Sequence, residues 1–305
     1  AQGYLLRTRS GRESRFDPRG ILQRITDRNQ NAIQFTYETD RLRRIADRAG
    51  RAVTLSYDSK GRITTLEDFS GRRVAYEYDA AGHLAAATNA GGNRTVYAYY
   101  TDNIYKNLLK SFTTPEGGVT SFQYYGNGKV ARVTLAGGQS MSFVYLPLRN
   151  ETHVIDARGL LTSYQFNALG NVVRVLRPDG SAIDRVYNAD AKLEAQTDAA
   201  GYTTRYTYDA AGNMTSVTDP LGRAMRFTYD PVFNLLTSIR DAGGNVTQFE
   251  YDTRGNPTRS VQPLGVETRF TWDGSGNLTS RTDAEGNTVT ITYDELGNPT
   301  TVRDA

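Results

Sequence analysis

The stretch Tyr208-Asp209-Ala210-Ala211-Gly212-Asn213-Met214-Thr215-Ser216-Val217-Thr218-Asp219-Pro220-Leu221-Gly222-Arg223-Ala224-Met225-Arg226-Phe227-Thr228-Tyr229-Asp230 decides the fold. It holds two turn signals, Asp-x-x-Gly-Asn and Asp-Pro-Leu-Gly, separated by short alternating runs, and it closes on the same Tyr-Asp that opens it. Working outward, the aromatic anchor recurs at Phe16, Tyr37, Tyr57, Tyr78, Tyr99, Tyr124 and Tyr145, then at Phe166, Tyr187, Tyr208, Tyr229, Tyr251, Trp272 and Tyr293. Its spacing is 21 residues, broken by single steps of 20, 22 and 25. A fixed period of this length is the signature of a repeat architecture.

The segments between turns read as strands. Arg51-Ala52-Val53-Thr54-Leu55-Ser56-Tyr57 puts Val53, Leu55 and Tyr57 on one face, and Thr203-Thr204-Arg205-Tyr206-Thr207-Tyr208 does the same with Thr204, Tyr206 and Tyr208. Both are rich in the β-branched and aromatic residues that favour a pleated surface. No segment carries an apolar i, i+3, i+4, i+7 pattern long enough for a helix. At the turns, Gly supplies a positive φ without steric cost, Asp and Asn bond nearby backbone groups, and Pro220 presets φ after Asp219. Each repeat is therefore expected to be two strands and two turns.

Composition agrees. The 305 residues include 20 Tyr and 29 Gly but no Cys, and only 38% are hydrophobic. This suits strands with amphipathic aromatic side chains and excludes coiled coils and transmembrane helices. The missing cysteine removes disulfides, thiol catalysis and thiolate metal sites. Net charge is +3 from 36 basic and 33 acidic residues, evenly mixed, where nucleic-acid binding calls for a basic stripe. The chain starts in mid-pattern at Ala1 and stops at Asp304-Ala305 where a turn should continue, as expected of a fragment of something longer.

The repeats are worn up to about Asn93, irregular from Tyr124 to Tyr187, and cleanest from Tyr187 onward. The step of 25 places extra residues around Thr101-Asp102-Asn103-Ile104-Tyr105-Lys106, at a hairpin tip. Tyr37 is followed by Thr39-Asp40-Arg41 in place of the usual turn, and Leu146-Pro147-Leu148-Arg149-Asn150 replaces an acidic turn. No linker or composition break divides the chain, so residues 1–305 read as one continuous array with no internal domain boundary.

The unit Tyr-Asp-x-x-Gly-Asn-x-Thr-x-x-x-Asp-x-x-Gly, clearest from Tyr208, Tyr251 and Tyr293, resembles the YD repeat of the Rhs family. That family includes bacterial Rhs polymorphic toxins, the shell-forming subunits of Tc toxin complexes, wall-associated bacterial proteins and the animal teneurins. The resemblance implies an all-β fold in which tandem β-hairpins of about 21 residues form one long, curled, spiralling sheet, an open segment of a hollow shell or barrel. In the toxin members such a shell encloses a C-terminal toxic domain. The physics is compatible: about 14 units of two strands, at about 4.8 Å per strand, make a sheet on the order of 130 Å across, too wide to stay flat.

The repeat anchors are Tyr57, Asp58 and Gly61; Tyr78, Asp79 and Gly82; Tyr208, Asp209 and Gly212; and Tyr229 with Asp230. They continue with Tyr251, Asp252 and Gly255; Trp272, Asp273 and Gly276; and Tyr293, Asp294 and Gly297. Their recurrence in phase marks them as structural. The tyrosines are expected to pack between side chains of the intervening strand while tolerating one wet end. The aspartates are expected to cap turns, because neither the calcium nonapeptide period nor an EF-hand spacing is present.

His83 and His153 stand 70 residues apart without neighbouring metal-type ligands, and Gly274-Ser275-Gly276 reads as a turn, so no catalytic or metal site is expected and no cofactor. Asp219-Pro220-Leu221-Gly222 is similar to the Asp-Pro-x-Gly at which Rhs members release their toxin, and Asp17-Pro18-Arg19-Gly20 shares it. Neither follows the Tyr-rich, Gly-Arg-containing core segment of that site, and both fall in phase as repeat turns.

The functional expectation is a non-enzymatic structural segment of a bacterial YD-repeat shell that encapsulates or presents a cargo (toxin) domain, exported to the cell surface or secreted. Its expected partners are the remaining repeats and the C-terminal cargo domain of its own full-length chain, with end-to-end self-association through open strand edges. Nucleic-acid binding and membrane insertion are not expected. The alternative is a cell-surface adhesion module recognising carbohydrate or protein.

Overall fold

Alternation between β-branched or aromatic residues and polar ones becomes a regular series of short strands. The computed structural model describes residues 3–102 and 104–304; Ala1, Gln2, Asn103 and Ala305 lie outside the described residues. Among the described residues, twenty-nine strands, mostly of five or six residues, form one antiparallel sheet. Two short 3-10 segments, Pro147–Arg149 and Pro263–Gly265, interrupt it.

The repeat quoted above shows the register. In Ala224–Tyr229 and Leu236–Arg240, Phe227 lies opposite Ile239 on the aromatic face, whereas Arg226 and Thr228 lie opposite Arg240 and Ser238 on the polar face. The pairing slips between Thr228 and Tyr229, which leaves Thr237 as a bulge. The same slip precedes Phe16, Tyr37, Tyr78, Tyr124, Phe166, Tyr187, Tyr251, Trp272 and Tyr293. In these repeats the anchor is thus the residue across which the register shifts, with the extra residue on the following strand; at Tyr145 the pairing runs on without a shift.

Irregular spacing has a local cause in each case. The step of 20 holds a two-residue turn, Thr39-Asp40, with both residues at positive φ (49° and 63°). In the step of 22, the Asp230 N–H reaches Leu235 O, one residue beyond the usual partner. In the step of 25, the Tyr100 N–H reaches Leu108 O, so the inserted residues do extend a hairpin tip.

The described residues include no fully buried large side chain; the buried apolar residues are Ala32, Ala46, Leu55, Ala86 and Ala195. Stability must come from hairpin-to-hairpin packing, as in other repeat proteins. Contacts divide the chain into two compact units. One holds Ser56–Leu66 and Arg72–Tyr206. The other holds the chain up to Leu55, Glu67–Gly71, and everything from Thr207 onward. Within this second unit, turns far apart in sequence interlock. Asn29 and Asn256, 227 positions apart, exchange side-chain amide hydrogen bonds of 3.0 and 3.1 Å. Asn31 Nδ2 donates to Ser275 O (2.9 Å) and Arg48 Nη1 to Ser275 Oγ (2.5 Å). Asn256 is only 3% exposed there.

Candidate functional site

Each anchor aspartate that opens an Asp-x-x-Gly turn acts on its own hairpin. In the first turn of the central repeat, the Gly212 N–H donates to Asp209 O and the Asp209 N–H to Asn213 O, a type I turn closed by a glycine bulge with φ of 93°. The carboxylate finishes the clamp: Oδ1 accepts the Asn213 N–H and Oδ2 accepts Asn213 Nδ2, both at 2.9 Å. This gives the Gly-Asn pair its meaning, since Asn supplies a second donor four residues after Asp. Asn256, Asn277 and Asn298 do the same for Asp252, Asp273 and Asp294. Arg62 and His83 replace Asn at Asp58 and Asp79.

These bonds hold the carboxyls low. The Asn213 amide and backbone N–H keep the Asp209 carboxyl below its ordinary range, and the Asn298 amide acts likewise on Asp294. Asp219 and Asp17 make the same turn: each Oδ1 accepts the N–H groups two and four residues on. The two Asp-Pro-x-Gly segments are thus built like the other repeat turns.

The anchor tyrosines use their hydroxyls differently from the wet end the sequence suggests. Tyr229 donates to Met214 O at 2.9 Å, and the same bond to the carbonyl fifteen residues back is made by Tyr78, Tyr251 and Tyr293. Trp272 makes it through its indole N–H, to Pro257 O at 2.5 Å. The carbonyls of Met214, Leu236, Pro257 and Leu278 belong to the first residue of a strand, and Leu236, Pro257 and Leu278 each stand directly before the bulged residue. Burial raises the Tyr229 and Tyr251 phenols above their ordinary value.

A hydroxyl cluster that sequence reasoning missed recurs in four of the repeats. Thr228 Oγ1 lies 2.8 Å from Thr237 Oγ1 and 2.7 Å from Ser238 Oγ. Thr207, Thr271 and Thr292 repeat it with Thr215 and Ser216, Thr279 and Ser280, and Thr300 and Thr301. The signal was a Thr before the aromatic anchor and two hydroxyl residues after the turn.

The histidines are more engaged than isolated surface groups. His83 stacks on Tyr99 (4.6 Å between ring centroids) and lies between Asp79 Oδ2 and Asn107 Oδ1. His153 lies opposite Ser163 across the strand pair, with Glu151 Oε1 2.7 Å from His153 Nε2. Serine, histidine and carboxylate meet here, but in the wrong order for nucleophilic catalysis. Ser163 Oγ donates to Glu151, so the carboxylate stands between hydroxyl and imidazole, where a triad places the imidazole between the other two. The Ser163 hydroxyl and then His153 hold the Glu151 carboxyl below its ordinary range. Among the described residues no group of three or more metal-ligating side chains converges, and no helix is long and apolar enough to cross a membrane.

The turn clamps, aromatic ties and bulges define a class: a β-hairpin repeat protein whose repeated polar groups hold its own backbone. The Teneurin YD-shell family model matches residues 14–197, and the RHS Repeat model matches 187–224, 229–267, 251–288 and 272–305. The chain belongs to the YD/Rhs-repeat family. No curated protein matches it in sequence. Among solved structures, it is similar to a chain of the Photorhabdus luminescens Tc holotoxin pore, with a TM-score of 0.69 at 17% identity over 97% of this chain and 18% of that one. A TcdB2–TccC3–Cdc42 crystal structure gives 0.68 at 17% identity over 97% and 19%. TcdB2–TccC3 without its hypervariable C-terminal region gives 0.68 at 18% over the same shares. The chain spans about one fifth of the length of those proteins, and the likeness establishes the fold.

Proposed function

We propose that this chain is a non-catalytic stretch of a YD-repeat shell that, with the remaining repeats of a longer polypeptide, encapsulates or presents a cargo domain lying outside it. The carrying observation is that the repeated polar groups are spent on architecture: carboxylates such as Asp209, Asp252 and Asp294 accept from their own turns, and Tyr78, Tyr229, Tyr251 and Tyr293 donate to backbone carbonyls. Family membership and the likeness to TcdB2–TccC3 support the reading, and a hypervariable C-terminal region in that relative fits an array with exchangeable cargo.

The proposal includes one uninterrupted array over residues 1–305, export to the cell surface or the medium, and action without a cofactor or nucleic acid. It also includes end-to-end association through Tyr4–Arg7 and Pro299–Arg303, the two exposed outermost strands. The purified chain is expected to give no saturable turnover of nucleic acid, NAD or peptide substrates. Saturable hydrolysis of any of them, retained through further purification, overturns the reading.

A second reading, recognition of a surface partner, is favoured by Ile104, which is 70% exposed on the extended tip. It predicts cell or glycan binding that is lost when Thr101–Lys106 is shortened to a standard turn.

A further inference from the structure

The polar face formed by the strands Leu22–Thr26, Ala32–Glu38 and Arg41–Ala46 carries Arg24 and Arg44, which pair with no carboxylate among the described residues. Arg24 lies opposite Gln34, and Thr36 lies opposite Arg44, so these four share one face. A cavity of about 350 Å³ opens over Arg24, Gln34 and Arg44, and the following turn adds Arg48 and Asp47 to its wall.

Asp47 is the one carboxylate among the described lining residues, and it is committed elsewhere. Its Oδ1 accepts the Arg51 N–H at 3.0 Å and its Oδ2 accepts Arg51 Nε at 2.6 Å. Among the described residues, Arg44 donates to the Gly50 carbonyl (3.2 Å), a neutral acceptor, and Arg48 donates to the Ser275 hydroxyl (2.5 Å) while its charge also helps to lower the Asp273 carboxyl.

Arg24 has less. Its Nε is buried without an acceptor. Across the strand pair it faces Arg15, and like charges directly opposite one another are destabilising. The same unit holds two further pairs of facing arginines, Arg226 with Arg240, outside the cavity, and Arg259 with Arg269, where Glu267 accepts from both. Arg259 also has a buried Nε without an acceptor, yet Glu250 and Glu267 supply its counter-charge. At Arg24 no carboxylate does this among the described residues.

We propose that this cavity is a binding site for a multiply charged oxyanion, a phosphoryl or sulfuryl group. Its oxygens accept from the Nη groups of Arg24 and from the uncommitted N–H groups of Arg44 and Arg48, while Gln34 lines the cavity with a neutral amide. Guanidinium forks match such oxygens in pairs, and charge-assisted bonds of this kind are stronger than neutral ones. The small residues Ala32, Ala46 and Gly50 leave the space open.

Isothermal titration calorimetry of the chain with pyrophosphate, and separately with sulfate, at fixed low ionic strength tests this. Saturable one-to-one binding of pyrophosphate is expected. Arg24→Gln and Arg44→Gln should each weaken it at least tenfold, while Arg226→Gln, on the polar face but outside the cavity, should leave it unchanged. Sulfate binding as tightly assigns the site to oxyanions in general, and its failure to bind assigns it to phosphoryl groups. The proposal is overturned by the absence of saturable binding of either anion. It is equally overturned by unchanged affinity in a folded Arg24→Gln or Arg44→Gln chain, or by an equal loss in Arg226→Gln.

Discussion

Most anchors are tyrosine, which carries a donor that phenylalanine lacks, although Phe16 and Phe166 fill the same place. The Tyr229 hydroxyl meets Met214 O, and Trp272 occupies the equivalent place because its indole N–H also donates. Tyr229→Phe should therefore cost about 1–3 kcal/mol, the range for leaving a part-buried polar group without its partner. Tyr202, 59% exposed, makes no such bond, and Tyr202→Phe should be nearly silent. Chemical denaturation of the two variants makes the comparison, and equal midpoints would remove the phenol from the account.

The turn carboxylates predict a pH response at the same scale. Asp209, Asp241 and Asp294 titrate below their ordinary value of 3.8 in the folded chain, held down first by the side-chain amides of Asn213, Asn245 and Asn298. A depressed folded value means that their contribution is complete above the unfolded value and is lost as pH falls through the folded one. Thermal midpoints should thus stay level from about pH 7 to pH 5 and fall below about pH 4. A midpoint already declining between pH 7 and 5 contradicts this assignment.

The hairpin is the element that repeats, and its glycines separate backbone strain from packing. Gly222 and Gly276 both have φ of 80°, yet a Cβ at Gly222 meets nothing within 4 Å, whereas at Gly276 it lies 2.3 Å from Asn29 Nδ2. Alanine costs about 1 kcal/mol at either position for the left-handed backbone alone. Gly276→Ala should lose more than Gly222→Ala, because it also presses on the Asn29–Asn256 amide exchange. Equal losses would mean that the exchange contributes nothing.

The hairpins were legible in the sequence for the same reason that the glycine comparison is possible. Turn chemistry acts over four or five residues, so Asp209, Gly212 and Asn213 announce it locally. The spacing errors were legible too, since each is a turn of altered length. What stayed hidden depends on register. The bond from Tyr229 to the Met214 carbonyl, the cluster at Thr228, and the meeting of Ser163, Glu151 and His153 arise only when two strands are aligned. The pairing of Asn29 with Asn256 lies further still from any local pattern, since it joins turns 227 residues apart.

At the scale of the whole molecule, a chain with few buried apolar residues owes its cohesion to repetition and to the interlocking of distant turns. Such a protein gains by being long, and the proposed role as a shell wall requires that the completed array enclose a cargo. Limited proteolysis of the full-length polypeptide tests that role most directly, with the cargo domain followed beside the same domain expressed alone. The account predicts that the cargo inside the intact array survives protease that digests the free domain, and that protection ends when denaturant opens the repeats. Cargo cleaved at the same rate in both settings would contradict it.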